Sequence, residues 1–311
     1  MKIVFLDRAT IADSVTLRKP EFSHDWKDFA KSTPEQAKER LMDADIAVVN
    51  KVKLTRDTLR ALPKLKMIAV TATGTDNVDL EACREFGIEV RNVAGYAKDT
   101  VAEHTFALIL TLRRAIPGYI ADVARGDWQA SGQFCIHTHP IKELRGSRMA
   151  LVGGGAIGQA VAGIARAFGM EVAFTGRKGT TEVADGRMPF DEALGWCDIL
   201  SLHCPLEQSN AALLGLAEFQ KMARAPIVIN TARGGLIVEE DLATALREGL
   251  IAGAGVDAAS VEPPAADHPF MSLLDMPNFI LTPHVAWAGE AAMQTVADSV
   301  IASIGDFIRS E

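Results

Sequence analysis

Short β-rich apolar runs alternate with longer stretches of helical periodicity along almost the whole chain, an order that a parallel sheet covered by helices satisfies and few other architectures do. In the first third, strands are expected at Lys2–Leu6, Ile46–Asn50, Met67–Thr71 and Ile88–Asn92, with helices such as Pro34–Met42 and Asp79–Phe86 between them. After a long helical stretch from about Thr100 to Arg114, six more strands follow at Met149–Val152, Glu171–Phe174, Ile199–His203, Ile227–Asn230, Ala254–Asp257 and Phe279–Thr282. Four strands suffice for one small doubly wound domain and six for a complete dinucleotide-binding sheet, so the 311 residues are expected to form two domains with a cleft between them. The helical segment Glu290–Ile308 has no strand after it and is expected to pack back on the first domain, making that domain discontinuous. Gly126–Pro140 and Glu262–Pro269 read as loops that serve an active site or a subunit contact.

Charge and cysteine usage exclude several classes. The net charge is −8 and basic residues run together only in short pairs such as Arg113-Arg114, so no surface is prepared for nucleic-acid phosphates or anionic lipids. Asp7 cuts the first apolar run too early for a secretory signal, and no apolar stretch reaches membrane-spanning length. A cytoplasmic protein is expected, with no membrane or nucleic-acid partner. Cys83, Cys135, Cys197 and Cys204 show no paired spacing and read as free thiols. His137-Thr138-His139 supplies half of a tetrahedral site with no dense ligand cluster beside it, so no metal is expected.

Gly153-Gly154-Gly155-Ala156-Ile157-Gly158 stands between the expected strand Met149–Val152 and a helical run over Ala156–Phe168, the setting in which a glycine-rich turn binds a dinucleotide. Gly153 would make the tight turn, Gly155 would admit a pyrophosphate to the backbone, and Gly158 would let helix and strand pack closely. Amides at the helix start, from Ala156 and Ile157, would supply donors and partial positive charge. An NAD site usually places an Asp or Glu on the ribose hydroxyls about 20 residues after the first glycine. Here that place is Thr175-Gly176, followed by Arg177-Lys178. With no carboxylate to repel a 2′-phosphate and a guanidinium beside it, the site is expected to favour NADP(H), with NAD(H) as the alternative.

Ligands of open α/β sheets bind outside the carboxyl ends of the strands. Polar residues gather there: Arg233 in Asn230-Thr231-Ala232-Arg233-Gly234-Gly235, Asp257, Glu262 five residues later, and His284 after Pro283. Taken singly each has a bland reading, as a loop cation, a solvated acid or a core histidine. An Arg, two acids and a His converging on one edge can act on a 2-oxo acid, whose carboxylate and carbonyl need fixed positive charge.

These residues, together with Ala72-Thr73-Gly74-Thr75-Asp76-Asn77-Val78-Asp79, Val101-Ala102-Glu103-His104, His203-Cys204-Pro205-Leu206, Gly255-Val256-Asp257, Glu262-Pro263-Pro264 and Thr282-Pro283-His284-Val285-Ala286-Trp287, resemble the D-isomer-specific 2-hydroxyacid dehydrogenases over essentially the whole chain. Asp7-Arg8-Ala9-Thr10, Asn50-Lys51-Val52 and Gln133-Phe134-Cys135 resemble its glycerate dehydrogenase and hydroxypyruvate (glyoxylate) reductase branch. The resemblance implies two doubly wound domains, a Rossmann dinucleotide-binding domain at 99–284 inserted in a flavodoxin-like substrate domain at 1–98 plus 285–311.

It also implies roles. Arg233 would bind the substrate carboxylate and carbonyl, His284 would exchange a proton with the reacting oxygen, and Glu262 would hold the histidine, since a neighbouring carboxylate favours the imidazolium. Asp257 would contact the nicotinamide carboxamide; His203, Pro205, Thr231 and Ala232 would line the cofactor. Amides at Thr73 and Gly74 would grip the substrate carboxylate, assisted by Lys51. Trp287 and Trp128 would wall the cleft or the subunit interface, with simple packing as an equal alternative. A homodimer is implied. Reduction of hydroxypyruvate or glyoxylate is the expected activity; oxidation of another family substrate such as phosphite, or a dinucleotide-sensing role like that of corepressors sharing this fold, stand as alternatives.

Overall fold

The computed structural model describes residues 1–184 and 186–310. They form two compact units, Met1–Ala97 with Ala288–Glu311, and Lys98–Trp287; Glu311 itself lies outside the described residues. The second crossing falls after Trp287 rather than after His284 because the intervening residues are bonded into the second unit. Val285 and Ala286 donate their N–H groups to Asp257 at 2.9 and 2.8 Å, and the Thr100 hydroxyl donates to the Ala286 carbonyl at 3.3 Å.

In the first unit, β1 (Lys2–Phe5), β2 (Asp25–Asp28), β3 (Ile46–Val49), β4 (Met67–Val70) and β5 (Glu89–Asn92) form an all-parallel sheet in the order β2-β1-β3-β4-β5, the flavodoxin-like arrangement. β1, β3 and β4 are buried on both faces, which is why they read as continuous apolar runs. β2 was not expected. Its Asp-Trp-Lys-Asp carries no apolar alternation, and it forms because an edge strand needs only one partner, here β1 from Lys2↔Asp25 to Phe5↔Asp28. The helix Pro34–Leu41 starts at a capping box between Thr33 and Gln36. The helix Glu290–Ser310 buries Val296, Val300, Ile304 and Phe307 along one stripe and packs on β4 of this unit. Gln294 ties it to the Thr16 backbone through two hydrogen bonds of 3.0 Å.

The second unit holds β6 (Arg148–Val152), β7 (Glu171–Thr175), β8 (Arg187–Met188), β9 (Ile199–Leu202), β10 (Ile227–Asn230), β11 (Gly253–Val256) and β12 (Phe279–Leu281), again all parallel, in the order β8-β7-β6-β9-β10-β11-β12. Read from the β8 edge, this is the Rossmann order with one strand added, and its direction of winding reverses between β6 and β9. Six strands were expected here; the seventh, β8, is two residues long and too short to leave a periodicity. Within Gly126–Pro140, expected as loop, Asp127–Ser131 is helical. Among the described residues, no helix is long and apolar enough to cross a membrane.

Candidate active site

The turn after β6 leaves room for nothing but hydrogen at two of its glycines. Gly153 has φ +107°, and a Cβ there would lie 2.6 Å from the His203 carbonyl carbon. A Cβ on Gly158 would lie 2.1 Å from the Gly153 oxygen. A Cβ on Gly155, in contrast, would meet nothing within 4 Å, so the chain is open at the start of the helix Ala156–Ala167. A tight turn with an open face at a helix N-terminus, located where the winding reverses, fits a pyrophosphate.

Beside it lies a cavity of about 620 Å³ whose lining includes Gly154, Thr175, Gly176, Arg177, Arg187 and Pro205. Gly176 is packed so closely that a Cβ would lie 2.3 Å from Val183 Cγ1. Arg177 is exposed at the rim. The Lys178 ammonium lines the same cavity but is engaged with Glu218 and the Leu213 carbonyl, both at 2.9 Å. Arg187, which sequence reasoning missed, projects from β8 and donates to the Thr175 carbonyl at 2.8 Å, with Nη2 over Gly154. No sequence signal brings Arg187 here, because only the pairing of β8 with β7 does so.

His203 follows β9 and its N–H donates to the Val152 carbonyl at 2.7 Å. Its Nε2 lies 2.8 Å from Ser201 Oγ, and its buried Nδ1 has no hydrogen-bond partner among the described residues. Burial pushes the imidazole down from 6.5 to about 4, so the ring is neutral near pH 7. Because the folded value lies below the unfolded one, the stability present above about pH 6.5 is lost as pH falls toward 4, by about 3 kcal/mol in all. His203→Asn should therefore flatten the decline of Tm between pH 6.5 and 4.5; a slope equal to the parent's would refute this assignment.

The ends of β10, β11 and β12 carry the other polar groups. Asn230 is buried and builds the turn that follows it: Nδ2 donates to the Arg233 carbonyl at 2.8 Å and Oδ1 accepts the Ala232 N–H at 3.1 Å. The Thr231 hydroxyl lies 3.1 Å from the buried Thr105 hydroxyl. Arg233 is half-buried and its Nη1 donates to the Ala232 carbonyl at 2.8 Å. His284 Nδ1 lies 2.8 Å from both Glu262 carboxylate oxygens. That contact fixes the ring and leaves Nε2 on the side away from Glu262.

His284 adopts φ +54°, a left-handed conformation that costs a non-glycine residue about 1–3 kcal/mol. Asp257 holds it there. Its carboxylate, 1% exposed, accepts the Thr282 hydroxyl at 2.5 Å besides the Val285 and Ala286 N–H groups. Any contact with a nicotinamide falls to the lone pairs these three donors leave. His104 Nε2 stands 3.1 Å from Thr282 Oγ1 and 3.6 Å from Asp257 Oδ1.

A family model described as D-isomer specific 2-hydroxyacid dehydrogenase, NAD binding domain, matches residues 106–286. The chain belongs to that family. It is 44% identical over 309 residues to a glycerate dehydrogenase of Methylorubrum extorquens, covering 99% of this chain and 96% of that protein. It is 34% identical over 278 residues to a hydroxypyruvate reductase of Blautia hydrogenotrophica, covering 88% and 85%. A solved NADPH-dependent glyoxylate/hydroxypyruvate reductase of Sinorhizobium meliloti, in complex with citrate, aligns at TM-score 0.83 and 27% identity, over 99% of this chain and 94% of that one. A nicotinamide dinucleotide is the cofactor of this family, and the glycine turn and its cavity fit one.

In the first unit of this dehydrogenase, Lys51, Thr73 and Gly74 lie on the loops after β3 and β4. Asp7, buried beyond β1, accepts the N–H groups of Asn50, Lys51 and Val52 at 2.6–3.1 Å. Burial pushes the Asp7 carboxyl up while those backbone donors pull it down. Asn77 Nδ2 donates to the Val52 carbonyl at 3.0 Å, joining the two loops, and the Thr73 hydroxyl donates to the Val93 carbonyl at 2.9 Å. Lys51 is exposed and Gly74 half-buried.

His139 sits 3.0 Å from the buried Asp122, and its ring is packed where a Gly118 Cβ would come within 2.7 Å. That accounts for one histidine of His137-Thr138-His139 by packing. Trp128 is exposed and donates to the Gln133 carbonyl at 3.1 Å.

Proposed function

We propose that this dehydrogenase reduces small, polar 2-oxo acids, hydroxypyruvate to D-glycerate or glyoxylate to glycolate, with NADPH favoured over NADH. The observation that carries the reading is the pairing of His284, beyond β12, with Glu262, beyond β11, in the same unit as Arg233 beyond β10. The names of the glycerate dehydrogenase and hydroxypyruvate reductase relatives support the substrate class.

Arg233 pairs with the substrate carboxylate and polarises the carbonyl through its planar fork. Glu262 keeps the proton on His284 Nδ1 and orients the ring, so that Nε2 delivers a proton to the carbonyl oxygen, or withdraws it in oxidation. The bound dinucleotide supplies or takes up the hydride at the substrate carbon. Gly153, Gly155, Ala156, Ile157 and Gly158 would form its pyrophosphate cradle; His203, Pro205, Thr231 and Ala232 would line it elsewhere, and Asp257 would contact the nicotinamide carboxamide. Lys51 and the amides of Thr73 and Gly74, in the substrate domain, bind the carboxylate.

Preference for NADPH rests on Gly176 standing where a ribose-binding acid would be, with Arg177 and Arg187 at the same cavity. Lys178 contributes its charge from its site on Glu218. Subunits pair through Ile116, Ile120 and Val123, exposed at helical spacing, together with Phe134, which is 92% exposed. The four free thiols support a cytoplasmic setting.

The test is steady-state oxidation of NADPH and NADH with hydroxypyruvate, glyoxylate, pyruvate and phenylpyruvate, on a preparation whose mass in sedimentation equilibrium should be twice 33.4 kDa. Arg177→Ala and Arg187→Ala should each raise KM for NADPH by about tenfold or more, the worth of one charged hydrogen bond, and leave KM for NADH nearly unchanged. A clear preference for NADH in the parent would sink the cofactor assignment, and a monomer would sink the pairing.

A further inference from the structure

We infer that Glu239 is a positioning residue that sets Glu262, and through it His284, against the Arg233 turn; the inference rests on the acid–base reading of that site. Glu239 opens the nine-residue helix Glu239–Arg247 and is buried. Its Oε1 accepts the Ser260 N–H at 2.7 Å, and its Oε2 accepts both the Ser260 hydroxyl at 2.6 Å and His268 Nε2 at 2.9 Å. His268 Nδ1 accepts the Phe270 N–H at 3.2 Å, which puts the imidazole proton on Nε2. Three donors thus converge on one carboxylate. A group that only accepts satisfies all of them, whereas an amide in its place would turn its NH2 toward at least one.

The short segment held in this way, Ala259 and Ser260, touches both halves of the site. Ser260 is two residues from Glu262, and the Ala259 N–H donates to Glu262 Oε1 at 3.1 Å. The Ala259–Ser260 peptide also lies so close to Gly234 that a Cβ there would be 2.0 Å from the Ala259 carbonyl carbon. The turn after Arg233 therefore rests on the peptide next to the one whose N–H donates to Glu262, and Ala259 joins the two. If Ser260 moves, Glu262 moves relative to His284 Nδ1, and the cradle at Gly153–Gly158 is not involved.

Glu239→Gln in the full chain, with Ser260→Ala as the milder variant, tests this. Misplacing an acid–base group by a fraction of its bond length should lower kcat for 2-oxo acid reduction by about tenfold to a hundredfold. KM for NADPH should stay within about twofold, and Glu239→Gln should cost little further kcat in a Glu262→Gln background, because both act through one pair. The low-field proton resonance of His284 Nδ1–H on Glu262, identified by its loss in His284→Ala, should shift in both variants. That signal is independent of turnover, so a parent that reduces none of the acids refutes the substrate reading while the resonance still tests the positioning. An unshifted resonance with kcat within about twofold of the parent overturns the inference. So does an equal loss of kcat in both backgrounds, the result a purely structural role would give. If Glu239→Gln does not fold, Ser260→Ala decides on the same readouts.

Discussion

His284→Ala is expected to lower kcat for 2-oxo acid reduction by about 10²–10⁴-fold, the usual worth of a positioned acid–base group, while cofactor binding stays close to the parent's. The separation of effects follows from the geometry. His284 hangs beyond β12 on a loop that Asp257 holds through Thr282, Val285 and Ala286, and none of these contacts depends on the imidazole. Removing the ring leaves that loop bonded as before and leaves Glu262 beside an empty space. Steady-state turnover and a fluorescence titration with NADPH measure the two quantities. Turnover within about tenfold of the parent would remove His284 from the chemistry.

Arg233→Lys is expected to cost about 10²–10³-fold in kcat/KM for the oxo acid, although the charge is retained. Lysine presents a point charge on a flexible stem and cannot form two parallel hydrogen bonds to a carboxylate. The turn itself should survive, because Asn230 builds it through the Ala232 N–H and the Arg233 carbonyl, groups that every residue at 233 provides. Comparing kcat/KM for hydroxypyruvate with the Kd for NADPH separates substrate recognition from cofactor loss. A lysine variant as active as the parent would refute bidentate recognition.

The parallel sheets were legible because β1, β3, β4, β6, β9 and β10 are buried on both faces and leave uninterrupted apolar runs. β2 and β8 left no such mark: one is a polar edge strand, the other two residues long. The glycine turn was legible because sterics leave few substitutes at Gly153 and Gly158. Arg233, Glu262 and His284 were legible only as a set, and their order in the chain, together with the family resemblance, lifted them above ordinary loop residues. What could not be read was the support beneath them. The three donors on Asp257, the Ser260–Glu239–His268 contacts and the approach of Arg187 to Gly154 all join segments far apart in sequence, and no local pattern encodes them.

The first unit is made from both ends of the described chain, and that sets an order on its assembly. During synthesis β4 emerges long before Glu290–Ser310, the helix that packs on it and buries Val296, Val300, Ile304 and Phe307. The second unit, Lys98–Trp287, is complete before that helix has been made. The growing chain therefore carries a first-unit sheet whose apolar face stays uncovered until its last element is made. Until the helix arrives, that face is open to the contacts a chaperone makes.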